Sequence, residues 1–289
     1  MKGFQMTVNK SILAYDIKDL SFSDHDTKDY YLIIYLSESS ISLLVFNPNI
    51  NKYLALKSYE ISGFRFLKKN EQLAANIEEL SPIYKKRILV MANPFFTIVP
   101  SEYFSDEMSE YYYKLNYDLK PDDNIRNDFI KNLNSYLIYT LDIDFELIDR
   151  YFAPTKIIHA ATPYLASILS NIENYLSNKI FTEVEKKFVR LAILKDGKLL
   201  LYNSFQYKTK EDLLYILINT SNQLGFDTDR DKYYFSGRIE KETDLYKLLF
   251  KYIRYPLFLP RFNKFFYPSS FDTIPSQLFY NAFTVPLCE

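Results

Sequence analysis

The stretch Tyr30–Ile61, YYLIIYLSESSISLLVFNPNINKYLALKSYEI, constrains this chain more than any other part of it. Apolar residues fill Tyr30 to Leu36 and Ile41 to Phe46, and both runs are shorter than the ~10 to 12 residues expected of a helix. SESS and NPNIN, which interrupt the apolar runs, are turn chemistry. Three consecutive strands joined by two tight connections follow.

From Phe66 the pattern changes. Leu67, Leu73, Ala74, Ile77 and Leu80 fall at near-helical spacing, and Pro82 ends that helix. Arg87 to Ala92, RILVMA, reads as a buried strand, and Phe95 to Val99 continues extended up to Pro100. Ser101 or Ser105 is placed to cap a helix after it, with Asp106 and Glu107 in the first turn. Lys114 to Asp128, polar and interrupted by Pro121, reads as a loop or insertion. Tyr136 to Leu141 reads as a strand, Asp144 to Tyr151 as a short helix and Thr155 to His159 as another strand. Thr162 is placed to cap a helix with Pro163 at its first position, running to about Leu176.

The pattern then restarts. Lys187 to Leu194 and Lys198 to Tyr207 are strand-like and flank Lys195, Asp196 and Gly197, a hairpin signal because Asp-Gly suits a type I′ turn. Thr209 and Asp212 make a capping-box pair for a helix bearing Leu214, Leu217, Ile218 and Leu224 and stopped by Gly225. A short strand, Tyr233 to Phe235, leads to Ser236 and Gly237. The helix after it shows one face through Leu245, Leu248, Leu249 and Tyr252. The sequence of strands, helix, strand and helix thus occurs twice, which implies two packed halves.

The totals exclude some classes. A chain of 289 residues has room for two domains of average size. Its 35 basic and 36 acidic residues nearly cancel, so no whole-protein field steers it toward nucleic acid or an anionic membrane. Cys288 is the only cysteine, so no disulfide forms within the chain. Polar residues interrupt any signal-peptide core near the N-terminus, and no run approaches the ~20 apolar residues of a membrane span. These features lead us to expect a cytoplasmic protein. The 27 Tyr and 24 Phe, with much Asn, Lys and Ile, fit an AT-rich genome better than an aromatic binding surface. Only five glycines are present, which counts against loops that cradle phosphate.

Four stretches carry a resemblance: YYLIIYLSESSISLLVFN, FTIVPSEYF, GKLLLYNSFQYKTKEDLLYIL and FDTIPSQLFYNAF with the terminal Cys-Glu. They resemble an uncharacterised bacterial family of unknown function with an actin-like ATPase, ribonuclease-H-like fold. The resemblance implies a duplicated α/β architecture of two lobes, each a mixed sheet flanked by helices. Residues 1–29 would form an N-terminal segment, 30–180 the first lobe, and 181–289 the second, with the C-terminal segment packing back on the first.

In active members of that superfamily two hairpin turns grip phosphate and metal, and a Gly-Gly turn holds adenosine. Carried over to this chain, the nucleotide-binding positions are Glu38 and Ser39 in the first turn, Asp196 and Gly197 in the second, and Ser236 and Gly237 in the adenosine-like turn. The first turn, Ser37 to Ser40, has no glycine, and Leu36 stands where the acid belongs. Arg238 stands where the second adenosine-turn glycine belongs. The resemblance therefore implies a pseudo-ATPase without catalytic residues or cofactor, serving as a scaffold for another protein. The alternative is a weak Mg-ATP-dependent ATPase or kinase using Asp196 and a displaced Glu38.

Other candidates are weaker. A ribonuclease-H-like nuclease needs converging carboxylates, and Tyr30 to Leu36 carries none. Asp227, Asp229 and Asp231 repeat like calcium-loop ligands, but Lys232 replaces the required glycine and Arg238 the bidentate glutamate. His25 and His159, the only histidines, lie far apart in sequence, so no His-rich zinc site is expected, and His159 reads as a hydrogen-bonded core residue. The stretch Lys251 to Tyr267 holds Lys251, Arg254, Arg261 and Lys264 among seven aromatic residues and no acid. It reads as packed aromatics with solvated cations, or as a patch for a protein partner or RNA.

Overall fold

The computed structural model describes residues 12–61, 77–120, 123–141, 145–170 and 178–289. The described residues fall into two units. The first lies within Met1–Asn93, Leu141–Ile158 and Phe265–Phe271, and the second within Pro94–Thr140, His159–Lys264 and Asp272–Glu289.

In the first unit the expected meander forms as β2 (Tyr31–Ser37), β3 (Ser40–Asn47) and β4 (Lys52–Glu60). β2 pairs antiparallel with β3 on one side and parallel with β5 (Lys86–Ala92) on the other. Successive residues of β2 are buried, so both of its faces are covered and neither is polar, which is why β2 reads as an unbroken apolar run. Leu32, Ile33, Ile34 and Leu36 are fully buried, and each such side chain contributes about 1.5–3 kcal/mol. The N-terminal segment supplies an edge strand, β1 (Ile12–Lys18), bulged between Leu13 and Tyr15 and antiparallel to β4. With β9 (Lys156–His159), the sheet order is β1-β4-β3-β2-β5-β9. The helix expected from Phe66 lies outside the described residues up to 76, and Glu78–Leu80 is a 3-10 turn.

The aromatic run at 265–267 belongs to this unit. Tyr53 N–H donates to the Phe266 carbonyl at 3.0 Å and Phe266 N–H to that of Asn51 at 2.9 Å. Phe265 stands edge-on to Phe46 and Tyr53, and Tyr267 stacks on Tyr53 at 5.4 Å.

The second unit holds a five-stranded sheet, in the order β12-β11-β10-β13-β14, and a three-stranded sheet, β6-β8-β7. In the larger, β10 (Lys179–Val184) pairs antiparallel with β11 (Phe188–Lys195) and parallel with β13 (Lys232–Gly237). The sequence pattern passes over β10 because Lys179, Thr182 and Glu183 break its apolar run. β12 (Lys198–Gln206) follows β11 through the expected turn, with Asp196 and Gly197 at φ 50° and 75°. β14 (Pro256–Phe258) closes the other edge. Helix Lys210–Gln223 starts at the expected capping box, where Thr209 accepts from Asp212 N–H at 3.1 Å and Asp212 from Thr209 N–H at 2.9 Å. Its Leu213 and Leu217 pack on Ile180, Leu191 and Phe235 of the sheet.

In the smaller sheet β6 (Phe96–Pro100) and β8 (Ser135–Leu141) form where extended segments were expected, and β7 (Asn124–Ile130) departs from expectation. β7 occupies the end of the stretch read as a loop: its alternation is hidden because its inward residue Asp128 is polar. Neither Ser101 nor Ser105 caps with its side chain. Two 3-10 turns precede the helix Ser109–Lys114, and the Ser105 hydroxyl donates to Glu107. Thr162 does not cap either. Helix Ala161–Leu169 has Ala160 at its N-cap, and the Thr162 hydroxyl donates to Asp128 at 2.7 Å. The remainder of that expected helix, 171–176, lies outside the described residues.

Candidate functional site

Each turn singled out by the sequence has a definite environment. At the β2–β3 turn Ser37 is buried, and its hydroxyl oxygen accepts from the Ser40 N–H at 3.0 Å and the Ser39 N–H at 3.3 Å. Its side chain also bonds the Ser40 hydroxyl at 2.8 Å, and the Ser39 carbonyl accepts from Ile61 N–H at 2.9 Å. The backbone donors that a phosphate would use are thus taken by a serine of the same turn. Leu36, at the expected acid position, is fully buried. Glu38 is partly exposed at the tip. In the other unit Asp196 is exposed at the tip of the β11–β12 hairpin beside Gly197.

At the end of β13, Gly237 adopts φ 80°, and a Cβ there would sit 2.2 Å from the Val184 carbonyl oxygen. Glycine is required for that close strand approach. Arg238 N–H donates to the same carbonyl at 2.7 Å, and the Arg238 Nε lies 3.8 Å from the Glu185 carboxylate. Gly237 N–H points instead at the C-terminal segment and donates to the Gln277 carbonyl at 2.8 Å. Gln277 Nε2 returns a bond to the Ile239 carbonyl at 2.9 Å. Ser236 is buried, its hydroxyl 3.4 Å from the Tyr164 hydroxyl.

Beneath this turn lies a polar layer that the sequence pattern does not announce. Glu183 and Arg190 face each other across β10 and β11, both essentially buried, with Nε–Oε2 at 2.7 Å. The second Glu183 oxygen accepts from Asn281 Nδ2 at 2.9 Å, fastening the C-terminal segment to the sheet. Burial pushes the Tyr164 and Tyr202 phenols well up from their ordinary range. A charged residue within each of two apolar strands, IFTEV and FVRLAI, was the available sequence signal. Asp128 forms a second buried acidic centre, accepting from His159 N–H and the Thr162 hydroxyl, each at 2.7 Å, and the Tyr139 hydroxyl at 3.2 Å. His159 is a hydrogen-bonded core residue: it is fully buried, and its Nδ1 accepts from Ala161 N–H at 3.1 Å.

The 251–267 stretch divides in two. Lys251 and Arg254 are exposed among exposed Tyr252, Tyr255 and Leu257. Arg261 is turned inward, donating to the Ile274 carbonyl at 3.0 Å, and Phe262 is buried, with the Lys264 ammonium 6.0 Å from its ring. Arg254 N–H donates to the Thr228 carbonyl at 3.0 Å, which brings the Asp227–Asp231 loop beside a stretch that has no acid of its own. Within that loop Asp227 accepts from Asp229 N–H and Arg230 Nε, and Asp231 from Asp227 N–H. Among the described residues no group of His, Cys, Asp and Glu is arranged to hold a metal ion. None of the helices there is long and apolar enough to cross a membrane.

Residues 19–255 match the family described as Protein of unknown function (DUF3822). No curated protein matches the chain. Among solved structures it is similar to a Bacteroides thetaiotaomicron protein described as having an actin-like ATPase fold and unknown function. The TM-score is 0.75 and identity 23%, over 82% of this chain and 93% of that one. It is also similar to a chain of a PilM-PilN type IV pilus biogenesis complex, with TM-score 0.63 and 14% identity, over 90% of this chain and 98% of that one. The fold is therefore that of actin-like ATPases.

Proposed function

The chain belongs to the family described as Protein of unknown function (DUF3822), and from that premise we propose that it is a non-catalytic actin-like binding or scaffold protein, a pseudo-ATPase. The observation that carries this reading is the occupation of backbone donors at the first turn and at the adenosine-like turn. Gly237 N–H is taken by the Gln277 carbonyl, and the N–H groups of Ser39 and Ser40 by the Ser37 hydroxyl. A nucleotide would have to displace internal bonds at both turns, and Leu36 offers no carboxylate for metal.

On this reading the chain comprises two actin-like lobes, 30–180 and 181–289, after an N-terminal segment, and acts in the bacterial cytoplasm. The sheet orders support the duplication: β4-β3-β2-β5-β9 in one unit repeats as β12-β11-β10-β13-β14 in the other. A protein partner replaces the nucleotide as ligand, an extension from the similar pilus chain, which was solved as part of a PilM-PilN complex. RNA is disfavoured, because the Asp227–Asp231 loop lies beside Arg254.

Calorimetry of the full chain with Mg-ATP tests the proposal. No saturable heat and no phosphate release are expected. Tight binding with hydrolysis that Asp196→Asn abolishes would establish the ATPase reading instead.

A further inference from the structure

Away from these turns, the larger sheet of the second unit ends in an edge that the sequence does not protect. β12 stands at the end of the sheet order, and among the described residues no strand pairs with its outer side. A free row of strand N–H and C=O groups is a template for a further strand, so natural edges are kept short, charged, bulged or closed with proline. The other outer strands of the two larger sheets follow that rule. β14 is three residues long and opens with Pro256, β9 has four residues, and β1 is bulged and exposes Asp16 and Lys18. β12 has nine residues, KLLLYNSFQ, and beyond Lys198 none of them is charged or a proline.

The register fixes which groups this edge offers. Tyr207 N–H donates to the Lys187 carbonyl at 3.0 Å, and along an antiparallel pair inward-bonding and outward-pointing residues alternate. Phe205, Asn203 and Leu201 therefore bond toward β11, while Tyr202, Ser204 and Gln206 turn their backbone N–H and C=O groups outward. The Ser204 N–H is met by the Asn203 side chain at 2.8 Å, a local substitute for a strand partner. Among the described residues the Tyr202 and Gln206 N–H groups find no backbone acceptor on another element. The side chains are apolar and half-covered. Leu201 to Phe205 are all partly exposed, whereas Phe188 to Leu194 of β11 are buried. Leu201 and Phe205 lie at the margin of the core that carries Leu213 and Leu217, and Leu200 is 46% exposed.

We propose that β12 takes up an extended segment of a partner protein as a sixth strand, apolar at alternate positions and acidic at its ends. Strand-to-strand bonds at Tyr202 and Gln206 supply the attachment. Every second side chain of the segment extends the row of Leu201 and Phe205. Exposed Lys198 and Lys208 bracket the edge and select the acidic ends. The same lysines argue against a second copy of this chain: paired antiparallel in full register about Asn203, the Lys198 of each chain would face a Lys208. The edge gives the protein partner proposed above a place to dock, yet it shares no residue with the Ser37–Ser40 or Gly237 turns. ATP hydrolysis would therefore defeat the pseudo-ATPase reading and leave this one standing.

Hydrogen exchange and NMR titration of the full chain test the proposal. In the free protein the Tyr202 and Gln206 amides should exchange rapidly while those of Leu201, Asn203 and Phe205 are protected. The probe is an acetylated, amidated peptide of alternating valine and threonine with aspartates at both ends. Its saturable binding should slow exchange at Tyr202 and Gln206 at least tenfold. Affinity should fall at least tenfold when alternate peptide amides are N-methylated, when lysines replace the aspartates, or in Gln206→Pro, where the lost N–H does not serve β11. The N-methylated peptide makes the test on the unaltered chain. Protection of Tyr202 and Gln206 before peptide is added would mean that the edge is already covered, and would overturn the proposal. So would no saturable binding at millimolar peptide, binding indifferent to N-methylation or to the charge reversal, or dimerisation of the free chain that Gln206→Pro abolishes.

Discussion

Gly237 donates its backbone N–H to the carbonyl oxygen of Gln277 at 2.8 Å. That bond joins the end of β13 to the C-terminal segment at the turn where active relatives hold adenosine. It occupies the Gly237 N–H, as the Val184 carbonyl occupies that of Arg238, while the close approach to Val184 keeps the glycine indispensable. The residue that looks most like a nucleotide motif thus has a structural reason to be there.

Alanine at Gly237 is expected to destabilise the protein by roughly 2–4 kcal/mol, since it adds a backbone clash to a left-handed φ. Gly225 shares φ 80°, but nothing lies within 4 Å of the place an added methyl would take, so Gly225→Ala should cost only about 1 kcal/mol. Urea denaturation of the two variants makes the comparison. Equal losses would contradict the clash.

Ser37→Ala removes the acceptor that serves Ser39 and Ser40. With buried backbone donors left unsatisfied, a loss of about 1–3 kcal/mol is expected. The same variant should gain no affinity for Mg-ATP, because Leu36 still denies the metal a carboxylate. A stable Ser37→Ala protein that binds nucleotide would show that the serine blocks an otherwise intact site.

Breaking the Glu183–Arg190 pair leaves a buried charge alone. Glu183→Leu or Arg190→Met singly should cost about 3–5 kcal/mol, whereas the double substitution should recover much of the loss. Thermal melts of the three variants decide this, and additive losses would mean that the two side chains are not coupled.

Alkaline pH should unfold the protein through its buried tyrosines. Burial first, and Glu79 and Glu185 after it, push Tyr84 and Tyr207 respectively up to about 12 from an ordinary 10.0. Because the folded values are raised, this stability is fully present below pH 10 and is lost as pH rises toward 12, where the unfolded chain binds fewer protons. Tyrosinate absorbance followed against pH should show a late, cooperative fraction. Tyr84→Phe/Tyr207→Phe should reduce it, and an unchanged titration would refute the assignment.

Much of the fold was legible locally. The β2–β4 meander, the Asp196–Gly197 hairpin and the Thr209–Asp212 capping box are specified by residues a few positions apart, so period and turn chemistry suffice to find them. β7 and β10 were not legible, because Asp128 and Glu183 interrupt the apolar pattern and are tolerated only by partners on other elements. Thr162 looks like a cap for the same reason: its hydroxyl is claimed by Asp128, which no local rule can place.

The candidate site divides along the same line. Sequence alone determined that the first turn lacks glycine and an acid, and that Arg238 stands where a second glycine belongs. Only the tertiary structure decided that the Ser39, Ser40 and Gly237 N–H groups are occupied and that Arg261 turns inward. The physical reason is that a hydrogen-bond donor or a charge is defined by what it faces. In this protein those facing groups come from distant parts of the chain, brought together by burial of the apolar strands that the sequence does declare.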